Sequence, residues 1–273
     1  MRIPLARKLI LTLSGAASVV AVAAAAPRMP ATPLGAESTA SLDQQVVPDQ
    51  ARFGVLTESG VHNFYFTRAV FSGRRAWSTD YPQADWWIAS VLSRLTLIDV
   101  AQSENAVRLD DPALRHFPFV YAVEVGRMRL RGEEVEGLRN YLLAGGFLAV
   151  DDFWGEYEWQ SFEREMARVL PEHEIVEVPL DHEIFRTFYE IDQIIQVPVV
   201  GRGVSGGPTH EKGGITPHFR GIFDDSGRLM VAINYNTDLG DAWEWAEEPL
   251  YPLTYSTYAY QVGANMMIYA MTR

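Results

Sequence analysis

From residue 53 onward, the apolar and polar positions of the chain switch between a period of two and a helical period. The aromatic and β-branched segment HNFYFTRAVF, residues 62–71, is typical of a strand. The segment PQADWWIASVLSRLT, residues 82–96, has apolar side chains at helical spacing. Asp80 is a candidate cap of this helix, because Pro82 suits a first helical position.

The same alternation of strand and helix continues to the end of the chain. Buried strands are predicted at residues 117–125, 146–152 and 229–235, and helices at residues 132–145, 161–170 and 255–272. The second helix is expected to turn Val135, Leu138, Leu142 and Leu143 inward. The glycine-rich residues 197–214 predict a surface loop, and residues 180–191 fit no single element. Alternation of this kind predicts an α/β domain with a mainly parallel sheet covered on both faces.

The first 26 residues have a different character, MRIPLARKLILTLSGAASVVAVAAAA. Their order of positive, apolar and small residues is that of a secretory signal. We therefore expect a signal peptide at 1–26, a flexible linker at 27–52 and one domain at 53–273, exported to the periplasm or the extracellular space. An uncleaved anchor is the alternative, because the apolar run is nearly long enough to span a bilayer. If the signal is cleaved, we expect no membrane span in the mature chain.

Composition excludes several function classes. The formal net charge is −12, and Lys212 is the one lysine beyond residue 8, so the basic stripe of a nucleic-acid-binding protein is missing. The chain has no cysteine, which excludes disulfides, thiolate metal sites and a cysteine nucleophile. No G-x-G-x-x-G opens a helix after a predicted strand and there is no Walker sequence, so we expect no nucleotide and no other cofactor.

Four segments occur in an order that resembles a known family: STDYPQADWW, LRNYLLAGGFLAVDDFWG, VPLDHEIFRTFYEID and NTDLGDAWEW. They resemble the bacterial family catalogued as domain of unknown function 4159, over about residues 53–273. The resemblance implies the class I glutamine amidotransferase-like fold, a flavodoxin-like three-layer sandwich, and no established activity. Amidotransferase chemistry does not carry over, because the turn after GGFLAV holds Asp151 and Asp152 where the mechanism needs a cysteine.

Polar residues after the predicted strands are the candidate site, since ligands of parallel sheets bind beyond the carboxyl ends of the strands. Asp151 and Asp152 can bind a metal, accept hydrogen bonds from a sugar or act as a base, or else one of them caps a helix or pairs with an arginine. Asp80 and Tyr81 follow the first strand, where a helix cap and a ligand contact are both open.

Two further groups are candidates. His182 lies between Asp181 and Glu183, which can raise its pKa; it can ligate a metal or fix a loop. The polar and aromatic residues after the late strand can form a sugar-binding surface with an exposed tryptophan, or a turn with that tryptophan packed as a lid. These residues are Asn234, Asn236, Asp238, Trp243 and Glu244.

These patterns favour a non-catalytic binding or assembly module of the cell envelope, with an envelope protein or a glycan as partner. The alternative is a hydrolase of a carbohydrate or related envelope polymer that uses Asp151 or Asp152 with His182. Convergence of the acids and His182 in one open pocket favours the hydrolase, whereas dispersal, or pairing with arginines and backbone amides, favours the module. The candidates offer oxygen and imidazole ligands to a metal. Carboxylates that share a crevice repel one another, and a bound metal would relieve that repulsion. Arginines such as Arg68 can relieve it as well, so we expect no obligatory metal.

Overall fold

The computed structural model describes residues 62–74 and 77–273. The predicted signal at 1–26, the predicted linker at 27–52 and the start of the predicted domain at 53–61 lie outside those residues. Within the described part, no helix is both long enough and apolar enough to cross a membrane.

The described residues form one mixed sheet of seven strands. The strands are β1 Arg68–Val70, β2 Ala106–Arg108, β3 Phe119–Val123, β4 Phe147–Asp151, β5 Ile175–Glu177, β6 His218–Phe223 and β7 Leu229–Tyr235. Their order across the sheet is β2-β1-β3-β4-β7-β6-β5. The first five in that order are parallel, β6 is antiparallel to β7, and β5 is antiparallel to β6. The prediction of an α/β domain with a mainly parallel sheet is therefore confirmed.

Helices cover both faces of this sheet. They are α1 Gln83–Leu95, α2 Gly132–Leu143, α3 Gly155–Val169, α4 Val200–Ser205, α5 Leu239–Glu244 and α6 Leu253–Thr272. Successive residues of β3 point to opposite faces: Tyr121 packs in one core with α1, α5 and α6, and Val120 packs in the other with α2 and α3. The central strands are buried on both sides, which explains their continuous apolar runs.

Several elements differ from the sequence-based predictions. The first strand is limited to β1, because Phe64 makes only an isolated bridge to Val100. Leu143 is 47% exposed, since it is the last residue of α2 and Leu142 takes the inward position. The predicted loop at 197–214 contains α4, and the ambiguous segment at 180–191 contains a short 3₁₀ turn, Glu183–Arg186. Strands β2, β5 and β6 and helix α5 were not predicted.

The strand order places a crevice at the carboxyl edge of the sheet. The chain runs from β1 to β2 on one side and then returns to β3 on the other side of β1. In open parallel sheets, a reversal of this kind separates the loops after the strands and leaves room for a ligand. Strands β4 and β7 are parallel neighbours, so the chain leaves Asp151 and Tyr235 at this same edge.

Candidate functional site

Six carboxylates lie at the carboxyl edge, at the end of β4, in the loops and along α5, and we call them the acidic cluster: Asp80, Asp151, Asp152, Asp238, Asp241 and Glu244. Gly240, in the first turn of α5, lies among them. A methyl group added to Gly240 would come within 3.0 Å of Asp80 Oδ2, 3.1 Å of Tyr121 Oη and 3.6 Å of Asp238 Oδ1. Residues that are far apart in sequence are therefore in contact with one turn of backbone.

Asp151 is fully buried and fastens α5 to the sheet. Its Oδ2 accepts hydrogen bonds from Tyr121 Oη at 2.7 Å, from the backbone N–H of Leu239 at 2.8 Å and from that of Gly240 at 3.1 Å. Its Oδ1 has no partner among the described residues. Burial raises the pKa of Asp151 to about 7, although these hydrogen bonds favour the charged form and act in the opposite direction.

Asp238 and Asp241 hold the starts of two short helices. Asp238 Oδ1 accepts a hydrogen bond from the backbone N–H of Asp241 at 2.9 Å, as the cap of α5. Asp241 Oδ2 accepts one from the backbone N–H of Val200, the first residue of α4, at 2.6 Å. Burial raises the pKa of both groups, and for Asp238 the charges of Asp152 and Asp241 raise it further. Both carboxylates therefore have a structural role, which for Asp238 is the turn that the sequence left open as the second alternative.

Asp80 has a freer side chain. Its backbone carbonyl accepts a hydrogen bond from the N–H of Ala84 at 2.9 Å, but its carboxylate makes no cap hydrogen bond to α1, so the predicted side-chain cap is wrong. The backbone of Asp80 is left-handed, with φ 58°, and turns the carboxylate toward Gly240 instead. Burial raises the pKa of Asp80 to about 7, and the charges of Asp241 and Glu244 contribute in the same direction. Its Oδ2 is buried without a partner in the described part.

A buried arginine fixes the loop that carries Asp80. The Arg68 guanidinium donates from Nη1 to the carbonyl of Thr79 at 2.9 Å, and it is ion-paired with Asp85. Its Cζ lies 4.9 Å from the centre of the Tyr121 ring. Sequence reasoning placed Arg68 near the first strand but missed this role, for which the only signal was a charged residue inside an apolar strand.

Asp152 and Tyr81 turn to other partners. Asp152 Oδ1 accepts a hydrogen bond from Trp154 Nε1 at 2.9 Å, and burial followed by the charge of Asp151 raises its pKa well above the usual range. The hydroxyl of Tyr81 faces Glu104 Oε2 at 3.5 Å. Of this adjacent pair, Asp151 therefore binds the first turn of α5, and Asp152 binds Trp154 in the turn that follows β4.

His182 lies at the opposite edge of the sheet. Its ring centre is 6.2 Å from that of Tyr269, whose hydroxyl accepts a hydrogen bond from the N–H of Leu229, the first residue of β7. Its Nδ1 accepts from the N–H of Ile184 at 3.2 Å and so fixes a loop. Burial lowers the pKa of His182, outweighing the neighbouring carboxylates that were expected to raise it. The structure does not bring His182 to Asp151 and Asp152.

The residues after β7 are mainly structural. Trp243 is fully buried, with its ring centre 5.2 Å from that of Tyr121, so of the two alternatives left open the tryptophan is packed and not exposed for sugar stacking. The reason is that α5 turns back onto the sheet. Asn236 Oδ1 accepts from the N–H of Gly155 at 2.9 Å, and Asn234 Nδ2 donates to the carbonyl of Val150 at 3.1 Å.

An open cavity of about 420 Å³ lies at the same edge, on the face covered by α3, and we call it the edge cavity. Its lining residues come from the start of α3, a glycine-rich loop, β6 and the end of β7. They are Gly155, Glu156, Trp159, Gly213, Gly214, Ile215, Thr216, His218, Arg220, Tyr235 and Asn236.

The wall of the edge cavity is an ordered row of aromatic and basic groups. Arg220 Cζ lies 4.2 Å from the centre of the Trp159 ring, and the His218 ring stacks on Tyr235 with centres 5.8 Å apart. Glu177 holds both basic groups, accepting from Arg220 Nε at 3.0 Å and lying 3.0 Å from His218 Nδ1. Sequence reasoning missed this row; its signal was the alternation of His218 and Arg220 in HFRGIF.

A family model described as a domain of unknown function, DUF4159, matches residues 66–271, which include the acidic cluster and the edge cavity. The chain belongs to the DUF4159 family. The resemblance to this family predicted from the sequence is therefore confirmed. A search of curated proteins found no match to this DUF4159 chain.

Proposed function

We propose that this DUF4159 chain is a non-catalytic binding module that takes its ligand in the edge cavity. The observation that carries the proposal is the row of Trp159, Arg220, His218 and Tyr235 along an open cavity at the carboxyl edge. Ligand sites combine aromatic surface with a few fixed polar groups in this way, and this is the edge at which parallel sheets bind ligands. The side chains of His218 and Arg220 are 27% and 24% exposed, so both remain accessible.

The proposal that the module is non-catalytic is supported by the structural role of the buried aspartates. Asp151 and Asp238 accept hydrogen bonds from the first turn of α5, and Asp241 does the same for α4. One oxygen of each of these three carboxylates is therefore committed to backbone amides. His182, the predicted partner of the aspartates, lies at the other edge of the sheet, and a chain without cysteine has no thiol nucleophile.

The cavity chemistry favours a glycan as the ligand. Guanidinium, imidazole and backbone amide groups bind the hydroxyl and carboxylate groups of an envelope polysaccharide, while the buried Tyr235 and Trp159 rings pack against His218 and Arg220 and fix their positions. The wall is formed partly by the N-terminus of α3, whose dipole favours a negative group. We therefore favour a glycan that carries carboxylates over a neutral one.

Two further parts of the proposal concern fold and location. The parallel strands have the order β2-β1-β3-β4-β7, which supports a flavodoxin-like arrangement of the kind in amidotransferase-like domains.

The signal-like pattern of residues 1–26 supports export of the protein, so that it functions outside the cytoplasm. Mass spectrometry of the protein from its native host tests the location: a mature end near residues 24–27 is expected, and an intact Met1 in the cytoplasmic fraction contradicts it.

The binding proposal is tested with the full protein and a panel of envelope glycan fragments, neutral and carboxylated. Binding is measured by tryptophan fluorescence and calorimetry, because Trp159 lies in the cavity wall. Arg220→Gln is expected to weaken binding at least about tenfold, the loss of one charge-assisted contact. Arg164→Gln, the same change at an exposed position of α3, is the matched control and is expected to bind as the wild type does. Equal binding by both variants would contradict the proposal.

A hydrolase that acts on an envelope carbohydrate is the second candidate, and one observation favours it. Burial raises the pKa of Asp80 and of Asp151 to about 7, the range that suits a general acid near neutral pH. The test is release of reducing ends from the same glycan panel. Turnover that is lost in Asp80→Asn, a change that leaves the α5 contacts of Asp151 intact, would replace the binding module by the hydrolase.

A further inference from the structure

Three carboxylates of the acidic cluster have the spacing of a cation site. One oxygen each of Asp80, Asp241 and Glu244 lies within 4.8 Å of the others. Asp241 and Glu244 are three residues apart on α5, so both lie on one side of the helix, and Asp80 approaches from the loop after β1. Asp80 and Glu244 are half-buried, which gives an ion access from solvent.

A second observation concerns two buried oxygens around Gly240, the residue before Asp241. Asp151 is fully buried, its carboxylate is bound to the N–H groups of Leu239 and Gly240 beside Asp241, and its Oδ1 has no partner among the described residues. Asp80 Oδ2, which lies against the same Gly240, is also buried without a partner. Buried polar oxygens are normally hydrogen-bonded, so two orphaned acceptors around one residue indicate a missing donor or cation.

The charge balance gives the same indication. The basic group whose charge acts on Asp80 is Arg68, which is already ion-paired with Asp85. The acidic groups that act on Asp80 are Asp241, Glu244 and Asp151. Like charges at this spacing are relieved either by protons or by a bound cation.

We propose that Asp80, Asp241 and Glu244 bind a divalent cation. The ligands are all oxygens, which Ca²⁺ takes at about 2.3–2.6 Å in irregular arrangements. The ion joins the loop after β1 to α5 and so closes the acidic side of the carboxyl edge. This site is separate from the edge cavity, so a failure of glycan binding leaves it unaffected.

The test uses the full protein, purified without a histidine tag and treated with a chelator. Ca²⁺ is titrated by calorimetry in two buffers of different ionisation enthalpy, and Tb³⁺ is titrated by luminescence excited through Trp243 and Trp245, which flank Glu244. We expect one ion per chain, proton release on binding, because a carboxyl group must be ionised to hold a cation, and a higher Tm with Ca²⁺.

Glu244→Gln is the decisive variant, because Glu244 lies at the end of α5 and holds no backbone group of another helix. It is expected to weaken Ca²⁺ binding at least tenfold while keeping the circular dichroism spectrum of the wild type. Glu247→Gln, an exposed neighbour, is the matched control and is expected to retain full affinity. Asp80→Asn removes a second proposed ligand, from the opposite side of the site, and is expected to weaken Ca²⁺ binding as well. No saturable Ca²⁺ or Tb³⁺ binding at millimolar concentration, or equal affinity in wild type and Glu244→Gln, would overturn the proposal.

Discussion

The acidic cluster and the edge cavity lie at the same edge of the sheet but use their polar groups in opposite ways. In the cluster, Asp151 is fully buried and three of its hydrogen bonds hold the scaffold. In the cavity, Arg220 and His218 are held by one exposed acid, Glu177, and stay open to solvent. The difference teaches that the carboxylates most noticeable in the sequence are those on which folding depends, while the accessible basic groups lie on β6, a strand that the sequence pattern did not reveal.

The largest expected effect is that of removing the anchor of α5. Asp151→Ala leaves the N–H groups of Leu239 and Gly240 and the hydroxyl of Tyr121 buried without an acceptor, which we expect to lower the free energy of unfolding by about 3–5 kcal/mol. Denaturation by urea measures it. Asp225→Ala, at an exposed turn, is the control and is expected to change stability by less than about 0.5 kcal/mol. If Asp151→Ala lowered the free energy of unfolding as little as the control does, the cluster would not be more structural than the cavity.

The next effect comes from crowding the centre of the cluster. In Gly240→Ala, the added methyl group would lie 3.0 Å from Asp80 Oδ2 and 3.1 Å from Tyr121 Oη, so we expect a loss of about 1–3 kcal/mol in unfolding free energy. Gly201→Ala is the matched control, because nothing lies within 4 Å of the position of its added Cβ. If the two alanines had equal effects in thermal melts, the packing at Gly240 would be looser than described.

A third, moderate effect is a pH dependence of stability that arises in the cluster. Burial raises the pKa of Asp80 and Asp151 to about 7, above about 3.9 in an unfolded chain. The folded state then binds more protons between these values, so stability should fall as pH rises from about 4 to about 7 and level off above that. Melts in chelator at pH 5.5 and pH 8 measure it. Asp80→Asn should reduce the slope and Asp225→Asn should not; an unchanged slope in Asp80→Asn would remove Asp80 from the explanation.

The smallest effect is expected in the cavity wall. Glu177→Gln weakens the hold on Arg220 and His218, yet an exposed ion pair contributes less than about 1 kcal/mol, so the Tm should barely change. The environment of Trp159 should change nonetheless, because Arg220 stacks on it. Tryptophan fluorescence of Glu177→Gln beside Glu174→Gln, a nearby acid outside the pair, measures this. A large loss of stability would mean that the cavity wall is as structural as the cluster.

The sequence predicted the central part of this fold well, because buried parallel strands leave a strong local pattern. The predicted strand at 229–235 coincides with β7, and the step from apolar residues to Asp151 marked the end of β4. The position of His182 could not be predicted in the same way. Its segment has no regular period, and only its packing against Tyr269 places it at the opposite edge.

The candidate site was predicted less completely than the fold. The acids at the carboxyl edge were found, but the burial of Trp243 depends on α5 turning back against α1 and α6, which no local pattern records. The edge cavity was missed because β6 follows a glycine-rich stretch and alternates polar with apolar residues for only a few positions. An antiparallel strand with half-buried polar positions, such as β6, leaves a weaker pattern than a parallel strand that is buried on both faces.

The two margins of the sheet also affect how the protein behaves in concentrated solution. The outermost strands, β2 and β5, have only three residues each, and β5 ends in the charged Glu177. Unpaired backbone groups at a sheet margin can recruit a strand from another molecule, and both a short margin and a charge on it hinder such recruitment. The flat, extended template that amyloid-like stacking requires is thus missing from both sides of this sheet.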